Sequence, residues 1–170
     1  MAVIRLFALL VLMCFSFGLN AQAVRDAALL ELKLDDDYRP FLHQQRANQV
    51  LAGWSLMSMG AGTAQLFSRN PYIRAFGMQN LIWGAVDGGI AWYGHHRLNK
   101  LQPSAVNLYL ERTQFRKILL VNTLLDLGYL AAGYALSRSA NPRWHGHGAG
   151  IMLQGGFLLL FDGVNYALTF

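Results

Sequence analysis

Asp87, Asp126 and Asp162 are the residues of this sequence whose type and setting could do chemistry. Each is the one charged residue in a long apolar stretch: residues 75–94, 118–137 and 148–170. A fourth stretch, 47–68, has no charge. Together the four hold three acids and no Lys, Arg or His, out of 14 Lys or Arg and nine Asp or Glu in the chain. A carboxylate in the middle of an apolar helix costs about 2.5–3.5 kcal/mol on an insertion scale, so it needs a compensating interaction. Three ionised carboxylates close together in a medium of low dielectric repel strongly. With no base nearby, such a cluster must hold protons, a cation, or water in a polar cavity. The chemistry this points to is proton or cation binding, of the kind carriers use at the membrane midplane. The plainer outcome is a set of protonated or hydrogen-bonded side chains fixing helix register.

Amides accompany the acids. At 100° per residue, Asn80 lies about 20° from Asp87, Asn122 about 40° from Asp126 and Asn165 about 60° from Asp162. Each acid is therefore expected to have a donor on its own helix, with Gln79 and Gln154 one step further round. The second stretch places Gly84 and Gly88 on its polar side, a spacing that permits close helix approach, and Ile82, Val86 and Ile90 on its lipid side. Gly128 and Ala132 are expected to do the same on the third.

Stretches of this length match a hydrocarbon core of roughly 30 Å crossed at 1.5 Å per residue. They lack period-2 alternation and are rich in Leu, Ala, Met and Gly, which argues against strands. The expected fold is all-α, an integral membrane four-helix bundle of two tandem helical hairpins. Its spans are about 48–68, 75–95, 118–137 and 148–169, within a domain of 48–170. Asn70-Pro71 and Asn141-Pro142 supply the chemistry of two tight turns. The longer connection, 95–117, carries Arg97, Lys100, Arg112, Arg116 and Lys117 among apolar residues and reads as an interfacial segment against lipid headgroups. The hairpins look like a tandem duplication at an offset of 75. That offset aligns Asp87 with Asp162, Gln79 with Gln154, Gly88 with Gly163, and Gly53-Trp54 with Gly128-Tyr129. The turn residues match only at a shifted offset. Duplicated two-span units would be related by an axis along the membrane normal.

Residues 1–23 read as a signal peptide: Arg5, an apolar run over residues 6–18, and the small-residue site Ala21-Gln22-Ala23. Cleavage removes Cys14, the single cysteine, and with it any disulfide, thiolate nucleophile or zinc–thiolate site. Residues 24–47 read as an amphipathic N-terminal segment, with Pro40 suited to a first helical turn. The run Asp35-Asp36-Asp37 lacks the central glycine and terminal glutamate of an EF-hand and reads as a solvated cluster. A cleaved signal puts the mature N-terminus outside and Arg69, Arg74, Arg138 and Arg143 inside. The positive-inside rule prefers the reverse, because nine Lys or Arg then remain outside. The signal-based orientation in the plasma (inner) membrane is the expectation adopted.

Composition narrows the function. With 54% hydrophobic and 14% charged residues, against about a quarter charged in soluble domains, a disordered chain and an ordinary soluble surface are excluded. His95-His96 and His145-x-His147 fall on opposite faces of a four-span arrangement, and two imidazoles fall short of a typical zinc set, so no metal site is expected. Trp54, Trp83, Trp92 and Trp144 read as packing and interfacial anchors. There is no Ser/His/Asp elbow, no phosphate loop and no basic stripe for nucleic acid. No catalytic residue, enzyme activity or cofactor is expected. The net charge of +5 belongs to loops facing headgroups, so the expected partners are membrane lipids, a second copy or another membrane protein, and a proton or cation.

The segments Asn122-Thr-Leu-Leu-Asp126-Leu-Gly128-Tyr129 and Leu153-Gln154-Gly-Gly-Phe-Leu-Leu-Leu-Phe-Asp162-Gly163 resemble recurring motifs of a family of uncharacterised bacterial four-helix membrane proteins. The resemblance covers most of the chain after the signal. It implies a shared architecture in which Asn122, Asp126, Gln154 and Asp162 matter, and it carries no activity. The expected function is a non-enzymatic accessory or structural membrane component with a buried Asp/Asn/Gln cluster. The alternative is a small proton- or cation-coupled carrier or channel using the three acids.

Overall fold

A computed structural model describes residues 38–101 and 105–169. The expected signal peptide, the first part of the expected amphipathic segment and the Asp35–Asp37 run lie outside the described residues. Four helices follow in order: α1 (Tyr38–Leu66), α2 (Pro71–Lys100), α3 (Ala105–Ser137) and α4 (Pro142–Leu168). Among the described residues there is no strand. Proline never interrupts a helix: Pro40 sits in the first turn of α1, and Pro71 and Pro142 open α2 and α4, where a missing N–H costs nothing.

The helices outrun the expected spans. The end of the amphipathic segment, from Tyr38, is the start of α1. The expected interfacial connection is also helix for most of its length, because α2 continues to Lys100 and α3 starts at Ala105. Arg97 and Lys100 in the last turn of α2 complement the negative end of its dipole. Among the described residues, two helices, 107–137 and 142–168, are long and apolar enough to cross a membrane. Four spans were expected; α1 and α2 fall short because Ser, Gly, Gln and Asn dilute their apolar residues.

The two tight turns share one design. Asn70 and Asn141 cap α2 and α4 with the same backbone angles, φ −77° and ψ 120°. Each side chain accepts the N–H two residues on, from Tyr72 and from Arg143, at 2.9 Å. Each Asn N–H in turn donates to a serine two residues back, Ser68 or Ser139, at 3.2 Å. These pairs are 71 residues apart, and the glycine contacts keep the same offset. A Cβ on Gly62 would lie 2.6 Å from Gly77 O and from Leu81 N; one on Gly133 would lie 3.0 Å from Gly148 O and 2.9 Å from Met152 N. The expected offset of 75 is therefore out of step with the turns by four residues. Four residues are close to one helical turn, which leaves every residue on nearly the same face and explains why the acids and amides aligned. At 71, Asp87 corresponds to Leu158 and Gln79 to Gly150.

Glycine sets how closely the helices approach. In the first hairpin Gly84 packs on the α1 backbone, where a Cβ would sit 3.0 Å from Ser55 O. Gly88 faces Ser55 as well. In the second hairpin the role expected of Gly128 and Ala132 falls to Gly133 and Gly148. Gly128 has open space around it and Ala132 is exposed, because both lie on the outer face of α3. Between hairpins, α4 lies on α2. A Cβ on Gly150 would lie 2.6 Å from Gln79 Cβ, and one on Gly146 would collide with Tyr72 O. The α1–α3 contact is slight by comparison.

Side chains are distributed against the usual pattern of a water-soluble core. Ile82, Val86 and Ile90 of α2 are about half exposed, as are Val121, Leu125 and Leu127 of α3. Many buried positions are instead filled by polar residues, including Ser55, Asn80, Asp87, Asp126, Gln154 and Asp162, beside a few leucines such as Leu51 and Leu119.

Candidate functional site

In the middle of the bundle, the buried polar groups form two layers. The first is built from amides. Gln154 of α4 is fully buried, at 0% exposure, and joins three helices. Its Oε1 accepts from Trp54 Nε1 of α1 at 2.8 Å, and its Nε2 donates to Asn80 Oδ1 of α2 at 2.8 Å and to Ser58 Oγ at 3.2 Å. Asn80 Nδ2 then donates to Gln65 Oε1 at 3.1 Å. Trp54 is held from its other side by a stack on Phe157, with centroids 3.9 Å apart and planes within 7°. Every buried donor and acceptor in this layer has a protein partner, the condition under which burying an amide is tolerable.

The second layer is acidic. Asp87, Asp126 and Asp162 are all buried, from three different helices. The Asp126 backbone packs near Gly155, two turns before Asp162. Because α3 and α4 run in opposite directions and each Cα–Cβ bond tilts toward its own helix N-terminus, the two carboxyls lean toward each other. The two carboxyls are close enough to interact, Asn122 interacts with Asp162, and Asp87 interacts electrostatically with both. Two carboxyl groups can bond to each other only through a proton on one of them. No group among the described residues donates to Asp87 Oδ2 or to Asp126 Oδ2. No basic side chain of the described residues is among the groups acting on the three acids. Among the described residues, no three His, Cys, Asp or Glu side chains are grouped to hold a metal ion.

The sequence-based pairing of each acid with an amide of its own helix does not hold. Asn80 turns to Gln154 and Gln65, away from Asp87. Asn122 acts on Asp162 of α4. Asn165 Nδ2 donates to Phe161 O, in its own helix backbone, at 2.6 Å. Gln79 pairs with His147 Nδ1 at 2.9 Å, nearer the turns. Angular proximity on one helix places side chains at different heights, and the partner a side chain meets is the one at its own height on the next helix.

Several participants escaped the sequence reading, Gln65 of the amide layer among them. Trp54 and Ser58 belong to the amide layer, and their signal was the Ser55, Ser58 and Gly62 stripe at helical spacing in α1. At the bundle end opposite the turns, buried Glu111 of α3 accepts from Gln44 Nε2 at 2.9 Å and pairs with Arg97 Nη2 of α2 at 2.6 Å. Arg97 also donates to Gln114. His95 and His96 lie at that end, near the end of α2, whereas His145 and His147 lie in the first turns of α4, beside the tight turns.

The family of unknown function DUF6992 matches residues 50–163. No curated protein and no solved structure matches the chain. The matched stretch contains all three acids and the whole amide layer, and the chain belongs to this family.

Proposed function

We propose that this DUF6992 member is a multi-pass membrane protein in which all four helices span, and that it is a non-enzymatic structural or accessory component. One observation carries the reading: large apolar side chains such as Ile82, Ile90, Leu124 and Leu160 are half or more exposed, while Gln154, Asp87, Asp126 and Asn80 are at most 3% exposed. Water would penalise such a surface, and hydrocarbon would favour it. Interhelical hydrogen bonds and close glycine contacts are what hold helices together when lipid removes the hydrophobic drive between them. In this reading the amide layer is the fastener of α1, α2 and α4. The shared offset of 71 in the turns and glycine seams favours an origin of the hairpins by duplication. The proposed site is the plasma (inner) membrane, with the tight turns inside.

Alkaline carbonate extraction tests insertion: the chain is expected to stay with the membrane pellet, and its release to the supernatant would overturn the reading. A reporter fused after Phe170 is expected on the outer side. A second reading has its own observation, the buried Asp87 Oδ2 and Asp126 Oδ2 without donors. It makes the acids a proton site of a small carrier, and single Asp→Asn variants that fold but lose proton flux in proteoliposomes would favour it over the structural role.

A further inference from the structure

Residues Tyr109, Arg112, Thr113, Arg116, Lys117 and Leu120 recur at i, i+3, i+4, i+7, i+8 and i+11, so they form one stripe along α3. With Tyr166 of α4 they line an open groove of about 460 Å³. We propose that this groove binds the phosphate of an anionic phospholipid headgroup, an assignment that rests on the membrane reading above.

Three features support it. The lining has three cations and no acidic side chain; Glu111, the one acid of this stretch, is turned inward onto Gln44 and Arg97. The guanidinium groups are positioned: Arg112 Nε donates to Thr169 O at 3.0 Å, and Arg116 lies over the Tyr166 ring, 5.3 Å from its centroid. Arginine held in a fixed plane is suited to the paired oxygens of a phosphate. The height is also right. From Lys117 to the end of α3 is 20 residues, about 30 Å, which is one hydrocarbon thickness above the tight turns. Below the cations the same stripe continues through Leu120, Leu124 and Leu127, all about half exposed or more, so an acyl chain would lie along α3 directly under a headgroup held in the groove. With the tight turns inside, the groove faces the outer leaflet, where a basic pocket between spanning helices with tyrosines at the interface attracts an anionic headgroup by charge.

The test uses the full chain in neutral detergent, titrated with phosphatidylglycerol, phosphatidylcholine and inorganic phosphate and followed by native mass spectrometry. Phosphatidylglycerol is expected to bind in preference to phosphatidylcholine. R116Q and K117Q are each expected to weaken it by about fivefold, from roughly 1 kcal/mol per cation, with binding of phosphatidylcholine unchanged. Equal binding of the two lipids, or phosphatidylglycerol binding untouched in the R116Q/K117Q double variant, overturns the site. Inorganic phosphate binding as tightly as phosphatidylglycerol overturns the lipid as its source. Helical content by circular dichroism controls for folding, and K117Q, at an exposed position, serves if the Arg116 variant does not fold. A chain that stays in carbonate-washed membranes yet shows no lipid preference loses this inference and keeps the membrane reading.

Discussion

The amide layer and the carboxyl layer lie next to each other in the same bundle, each around buried polar side chains, and are built on opposite terms. Gln154, Asn80, Ser58, Gln65 and Trp54 close their bonds on one another. Asp87 and Asp126 each keep an oxygen that nothing donates to, and Asp126 meets Asp162 only if a proton is shared. A neutral amide brings a donor and an acceptor and can complete a network alone; a carboxylate brings acceptors only, so a cluster of them depends on something from outside the chain. Rigidity is therefore expected from the first layer and responsiveness from the second.

Replacing the hub of the amide layer should have the largest effect. Gln154→Leu fills similar space but strands Trp54 Nε1, Asn80 Oδ1 and the Ser58 hydroxyl, three buried polar groups at about 1–3 kcal/mol each in the general case. Alternative partners inside a membrane bundle soften such losses. A destabilisation of about 2–4 kcal/mol is expected in thermal or chemical unfolding of the detergent-solubilised protein. A loss below about 0.5 kcal/mol would mean that the layer is not the fastener of the bundle. Asn80→Ala removes one spoke, leaving Gln65 Oε1 without this donor, and should cost about 1–2 kcal/mol.

How much of this was readable beforehand depends on the kind of information. The helices, the Asn-Pro turns and the burial of Asp87, Asp126 and Asp162 follow from charge-poor stretches and capping residues, which are local properties of the chain. Partner choice does not. Asn80 sits near Asp87 on the helical wheel but bonds Gln154, because the height at which α4 meets α2 is set by Gly146 against Tyr72 and Gly150 against Gln79. Those contacts depend on one helix's backbone lying on another, which no single-helix projection contains. The same limit hid Gly133 behind Gly128: both are glycines of one helix, and only the position of Gly148 shows which faces inward.

Trp54→Phe separates packing from hydrogen bonding within the amide layer. The stack on Phe157 survives, and Gln154 Oε1 loses its indole donor. The expected cost is about 1 kcal/mol, smaller than for Asn80→Ala because one hydrogen bond of the layer is lost rather than two. A cost as large as that of Gln154→Leu would show that the aromatic stack, rather than the amide, joins α1 to α4.

Asp126→Asn should have the smallest effect of all, and that is its value. The substitution keeps the shape of the side chain and supplies an N–H that can donate to Asp162, so the contact no longer needs a shared proton. Stability should change by less than about 1 kcal/mol, and the sign should favour the variant if the wild-type pair is strained by its missing donors. The protonated-carboxyl band in the infrared spectrum should weaken at the same time. Combined with Trp54→Phe, whose bonds belong to the other layer, the change should be additive within about 0.5 kcal/mol. A larger coupling would mean that the two layers act as one network, so that a proton entering the acids would be felt at Gln154. A loss of several kcal/mol from Asp126→Asn alone would reverse the contrast, making the acids the structural element of the bundle.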